Sequence, residues 1–200
     1  MQLTQKHVVY LEARPADPNG RGAITIRDLF RATLRMRPDR IVIGEIRGGE
    51  ALDIVQAMVS GHGGCLGTLH ATYPRDTMTR LETMAMMSDV DLPLAALRLQ
   101  IASGVNVIVQ VARFADGSRK VTHITEVRGY DLTSQSYELS DIFRRDFAGQ
   151  SADGTVQSEL LPSGDIPRCL SHIRENGFDL PRAVFEAARL RDSSEQRELS

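Results

Sequence analysis

Arg37-Pro38-Asp39-Arg40-Ile41-Val42-Ile43-Gly44-Glu45 reads as a proline-marked turn, a short apolar run and an acid set just past a glycine. Ile41-Val42-Ile43 offers no polar side chain to solvent, the pattern of a strand buried on both faces. Strands of that kind belong to α/β folds, in which ligands sit beyond the carboxyl ends of the strands. Glu45 stands at that end. A carboxylate there can hold a Mg²⁺-bound water or orient an attacking water beside a nucleotide phosphate. The same pattern also fits an acid that merely finishes a strand and pairs with Arg47.

Upstream, Val8-Val9-Tyr10-Leu11 is strand-like and is followed by a turn-rich loop, Arg14 to Gly22. Thr25 can cap a helix in which Ile26, Leu29, Phe30 and Leu34 recur at helical spacing, with Pro38 marking its end. Downstream, Gly48-Gly49 leads into a helix with Leu52, Val55, Met58 and Val59 on one side. Cys65 to Leu69 reads as a second buried strand. Helices are expected at about 75–87 and 94–103, and a strand at 105–111. Ala115-Asp116-Gly117-Ser118 is a hairpin turn leading to a strand at 120–127. Gly149 to Gly154 reads as a linker, and the last ~45 residues as a helical tail with helices at about 167–176 and 181–191. The fold expected is α/β, a mostly parallel sheet with an antiparallel hairpin at one edge and a small helical tail. Residues 1–148 would form the domain and residues 149–200 the linker and tail.

Composition narrows the function. Lys+Arg 24 against Asp+Glu 26 leaves a formal charge of −2, which argues against a general nucleic-acid binder. No apolar run approaches the roughly 18 residues that cross a bilayer, and no signal-peptide core opens the chain. Cys65 and Cys169 are too few for a disulfide framework, so free thiols and a cytoplasmic setting are expected.

Gly61-His62-Gly63-Gly64-Cys65-Leu66-Gly67-Thr68-Leu69-His70-Ala71 adds a histidine directly after the second strand, on the edge that carries Glu45. An imidazole there can donate to a phosphate oxygen. A zinc site from His62, Cys65 and His70 lacks a fourth ligand and the usual paired spacing. Arg27, Arg31, Arg35, Arg37 and Arg40 crowd the helix and turn before Ile41. A solvated helix face accounts for some of them. Arg35 and Arg37 are placed to stabilise charge in phosphoryl transfer, even across a subunit boundary.

The run from Ile24 through Glu45-Ile46-Arg47-Gly48-Gly49-Glu50-Ala51 resembles the Walker B region of type II/IV secretion ATPases. Gly61-His62 through Thr68-Leu69-His70-Ala71 is similar to their His box. Pro74-Arg75-Asp76, Arg80-Leu81-Glu82-Thr83-Met84, Asp91-Leu92-Pro93-Leu94 and Gln100-Ile101-Ala102-Ser103 look like the CpaF-like ATPases of tight-adherence pili. The resemblance covers residues 8–147 and implies a partial RecA-like P-loop NTPase core that uses ATP and Mg²⁺. It implies that Glu45 is the catalytic acid, holding Mg²⁺ through water, with Glu50 the second acid. Thr68 and His70 would face the γ-phosphate, His62 would open the box, and Arg35 and Arg37 would bind nucleotide. It further implies a homo-hexamer at the inner-membrane face that works on membrane platform proteins, with no nucleic acid. A conjugative type IV secretion ATPase shares these boxes, and a non-catalytic remnant or interaction module is the reading from another class. Gly63 and Cys65 replace the family's usual Asp and Ser, and Thr72-Tyr73 an Asn-Ser pair. No Gly-x-x-x-x-Gly-Lys-Ser/Thr loop occurs in the 200 residues. Nothing here therefore cradles the phosphates, and the chain by itself is expected to lack ATPase activity.

Overall fold

A computed structural model describes residues 3–186. They form two compact units that divide between Val105 and Asn106, and each is described by itself.

The first unit opens with an irregular, exposed segment in which Arg14 and Ile24 pair as an isolated antiparallel bridge. The strand expected at Val8–Leu11 is not formed. Val9, Tyr10 and Leu11 stay exposed, since among the described residues no strand lies beside them to accept their hydrogen bonds. Helix α1, Ile26–Leu34, begins where the cap signal places it. The Asp28 amide donates to the Thr25 hydroxyl, and Asp28 accepts the Thr25 amide in return. Strand β1, Ile41–Ile43, pairs in parallel with β2, Cys65–Gly67, with Ile43 opposite Gly67. Between them runs α2, Glu50–Val59, half of whose residues are buried. Its Leu52, Ile54 and Val55 are sealed by α1, by α3 (Pro74–Ala85) and by α4 (Leu94–Gly104). Gly104 permits the close crossing of α4 over α2, where an added Cβ would lie 3.1 Å from the Met58 Cβ. The ion pair of Glu82 with Arg98, at 3.0 Å, ties α3 to α4.

Arg27 and Arg31 on α1 both reach Asp53 on α2, at 2.5 and 2.9 Å. The Asp53 side chain is only 14% exposed. Several of the arginines ahead of β1 thus split into two groups. The two on the inner side of α1 fasten helices together, and Arg35 and Arg37 remain exposed.

The second unit is a four-stranded antiparallel sheet in the order β3-β4-β5-β6. Its strands are Val107–Arg113, Arg119–Asp131, Ser136–Gln150 and Val156–Pro162. The Ala115–Ser118 turn joins β3 and β4 as expected. The rest corrects the sequence reading in three ways. The parallel sheet amounts to β1 and β2 alone, so the described sheet structure is mostly antiparallel. The 149–154 stretch, expected as a linker, is a tight hairpin turn in which Ser151 accepts from Gly154 and donates to Thr155. Strand β6 then occupies residues assigned to a helical tail. Gly, Ser and Asp serve linkers and tight turns alike, which is why composition does not separate them.

Helix α5, Leu170–Glu175, and a 3-10 turn, Arg182–Phe185, follow. The expected 181–191 helix is represented by that turn, and its part beyond residue 186 lies outside the described residues. Leu170 and Phe185 pack with Ile142 in a small core, with the Phe143 and Phe185 rings 5.9 Å apart. Buried Glu126 accepts the amides of Arg168 and Cys169, at 2.7 and 3.3 Å, and so anchors the tail to β4.

Candidate functional site

The parallel register sets the geometry. With Ile43 opposite Gly67, the chain segments leaving β1 and β2 run side by side. Two hydrogen bonds extend the pairing beyond the strands. The Ile46 amide donates to the Thr68 carbonyl at 2.8 Å, and the Thr68 hydroxyl donates to the Gly44 carbonyl. Glu45 and His70 are thereby brought together: His70 Nε2 is 3.2 Å from Glu45 Oε1. The other carboxylate oxygen accepts from the Arg47 guanidinium.

The Arg47 hydrogen bond, with the charges of Arg47, His70 and Arg80, holds the Glu45 carboxyl below the usual carboxylate range. The acid is ionised at neutral pH and sits among cations. Its side chain is 27% exposed, and His70 is 85% exposed. Next to it lies an open depression of about 620 Å³, lined by His70, Thr72, Asp76, Thr79, Arg80 and Thr83. Hydroxyls, an imidazole and a guanidinium in one concavity suit a phosphate-bearing ligand. Asp76 and Arg80 face it from successive turns of α3, and their i, i+4 spacing on one helix face was the available sequence signal.

The remaining expected site residues fall elsewhere. Glu50 Oε1 accepts the amides of Arg47 and Gly48, at 2.7 and 3.1 Å, so this acid satisfies donors at the start of α2. His62 precedes β2 and Arg37 precedes β1, at the amino ends of the strands, and Arg35 caps α1. None of these three gathers at the Glu45 end. The Cys65 thiol faces the His62 carbonyl at 3.3 Å, and burial pushes its pKa up, so it is no thiolate at neutral pH. β2 itself was expected buried, yet Leu66 is exposed because among the described residues no element covers that face.

A single carboxylate is a sparse donor set for Mg²⁺, which takes six oxygen ligands and usually keeps several waters and substrate phosphates among them. Glu45 would hold such an ion only through a water, with most ligands coming from elsewhere. Among the described residues, no group of three or more acidic, histidine or cysteine side chains could hold a metal ion.

The chain is similar to several known proteins. A Mycobacterium tuberculosis protein provisionally named for conjugal transfer is 39% identical over 157 residues, covering 78% of this chain and 43% of that protein. The type IV secretion system protein PtlH of Bordetella pertussis is 40% identical over 118 residues, covering 57% of this chain and 34% of its own. The VirB11 ATPase from the Brucella suis type IV secretion system, a solved structure, aligns at 35% identity with a TM-score of 0.48, over 50% of this chain and 31% of that one. The chain spans less than half the length of these relatives. The family model of the Type II/IV secretion system protein matches residues 1–151. The chain belongs to the type II/IV secretion system protein family.

Proposed function

We propose that these residues are the Walker B and His-box portion of an ATP-hydrolysing motor of a conjugal-transfer or type IV secretion system. The observation that carries this reading is the meeting of Glu45 and His70 at the carboxyl ends of two parallel strands, beside a polar depression. Glu45 is the acid that acts on the attacking water and holds Mg²⁺ through water, His70 contacts phosphate, and Thr68 fixes the two exits together. Glu50 acts as a structural acid at α2. His62, Arg35 and Arg37 are not ligands within one chain.

The choice of branch leans on the relatives. Several of those matched carry conjugal-transfer and type IV secretion names, which supports that branch over the tight-adherence pilus reading drawn from residues 74–103. The extent of the family match, residues 1–151, supports taking 1–148 as the motor portion, while β6 completes the same sheet as β3 to β5 and the tail after it packs on β5, so they are not a separate segment. The working assembly is a homo-hexamer at the inner-membrane face that acts on membrane platform proteins, with ATP and Mg²⁺ as its nucleotide and metal. Among the described residues no helix is long and apolar enough to cross a membrane.

Joining residues 1–200 to a P-loop-bearing portion from a relative tests the reading. ATP turnover in the joined protein, with none in the 200-residue chain, is the result expected. Nucleotide binding without turnover in the joined protein favours the non-catalytic remnant.

A further inference from the structure

Arg35 and Arg37 are the arginines that neither the helix contacts nor the Glu45 site absorbs. With Met36 they form an exposed tip at the end of α1, and Met36 is 52% exposed. The segment from Arg35 to Arg40 carries three arginines against one aspartate. Among the described residues neither Arg35 nor Arg37 forms an ion pair.

A second exposed segment has the opposite character. Met86 and Met87 are 62% and 61% exposed and Val90 48%, and Asp89 and Asp91 flank Val90 with no basic residue in the segment. Methionines adapt their shape to what they pack against and so suit a docking surface. Within one chain the two segments cannot serve each other. Asp89 lies 3.7 Å from Arg27 at the start of α1, whereas Arg35 to Arg37 lie past its end, about 13 Å along a nine-residue helix.

We propose that the acidic methionine segment, Met86 to Asp91, docks on the basic tip, Arg35 to Arg37, of a second copy of this chain. The two patches are complementary in charge, both present apolar methionine surface, and they lie at different places on the molecule. A contact between different patches is head-to-tail, the kind that closes into a ring or continues as a filament. Opposite charges steer such an encounter and fix its register. The proposal rests on the multi-copy reading only in expecting more than one chain to associate.

Both patches are wired to the Glu45 turn. The basic tip runs directly into β1, whose exit carries Glu45. The acidic segment is pressed against the start of α2: a Cβ on Gly49 would lie 3.0 Å from the Ser88 Cα and 3.1 Å from the Met87 carbonyl oxygen. Both groups are backbone and cannot rotate away. Gly49 follows Arg47 and Gly48, whose amides Glu50 holds. Docking therefore links the approach to one copy's site with the rear of the next.

Sedimentation velocity over a concentration series on the 200-residue chain tests this. Association that weakens in raised salt is expected for the parent. Arg35→Glu with Arg37→Glu, and separately Asp89→Arg with Asp91→Arg, should each weaken it about tenfold or more. Mixing the two variants opposes opposite charges at every junction and should restore it. All four positions are exposed, and an unchanged melting temperature confirms folding. Association unaffected by either variant, or not restored on mixing, overturns the pairing and leaves the multi-copy reading standing. A parent that stays monomeric throughout overturns both.

Discussion

His70 Nε2 lies 3.2 Å from Glu45 Oε1, although the two residues leave different strands and are joined through an entire helix. The contact follows from register: Glu45 is two residues past Ile43 and His70 three past its partner, Gly67. Any ligand that recruits Glu45 must therefore exchange with His70 or Arg47. Those neighbours hold the carboxyl below its usual range, so at neutral pH it is charged, the condition for polarising a water.

Glu50 should behave as a structural acid. Its carboxylate accepts two amides at the start of α2, where donors are otherwise unsatisfied and negative charge is favoured. Glu50→Ala should lower stability by about 1 kcal/mol in urea unfolding, as loss of a helix cap does. Glu50→Gln keeps an acceptor and should recover most of that. Equal loss in both variants would mean that charge, not the amide contacts, is what matters.

Asp53 should matter more than either arginine it holds. Asp53→Ala leaves Arg27, only 24% exposed, with just the longer 3.7 Å contact to the exposed Asp89, and about 1–3 kcal/mol is expected from losing its close partner. Arg31→Ala removes an exposed partner and should cost under about 1 kcal/mol. Urea midpoints at fixed m rank the two, and an Arg31 effect as large as that of Asp53 would contradict the packing described.

Much of the first unit is legible in sequence because its signals are local. Thr25 and Asp28 form the capping box, Pro38 precedes an apolar triplet, and Pro74 opens α3. Strands Val8–Leu11 and β5 are different cases. Val8–Leu11 has strand-like residues but no partner, and β5 mixes charged residues into a pattern that only cross-strand pairing resolves. Strand formation depends on what lies alongside, which composition does not reveal. At the site, Glu45 and His70 were legible from their strand ends. Arg35, Arg37 and His62 lie at the end of α1 and ahead of β1 and β2, away from that end, and nearness in sequence to a strand does not say what such side chains bind.

Asp116 should make the second unit sensitive to acid. It accepts the Ser118 hydroxyl and amide and the Val156 amide, so one carboxylate joins the β3–β4 turn to the start of β6. The Ser118 hydroxyl first, then the Val156 and Ser118 amides, lower its pKa from 3.8 to about 2. A depressed carboxylate pKa adds stability above the unfolded value, and that stability is lost as pH falls through the folded value. The urea midpoint of the parent should exceed that of Asp116→Ala at pH 6, and the part of the gap due to ionisation should vanish between about pH 4 and pH 2. A gap that is the same at pH 6 and pH 2 would refute the assignment.

The central claim is that Glu45 is the acid that activates water, and the direct measurement is ATP turnover in residues 1–200 joined to a P-loop-bearing portion. Glu45→Gln keeps shape and hydrogen bonding but removes the charge. Nucleotide affinity should survive, and kcat should fall by about two or more orders of magnitude. His70→Ala should lower kcat less, and Glu50→Gln should leave it near the parent value. Parent-like turnover in Glu45→Gln, with turnover lost in Glu50→Gln, would contradict the account and exchange the roles of the two acids.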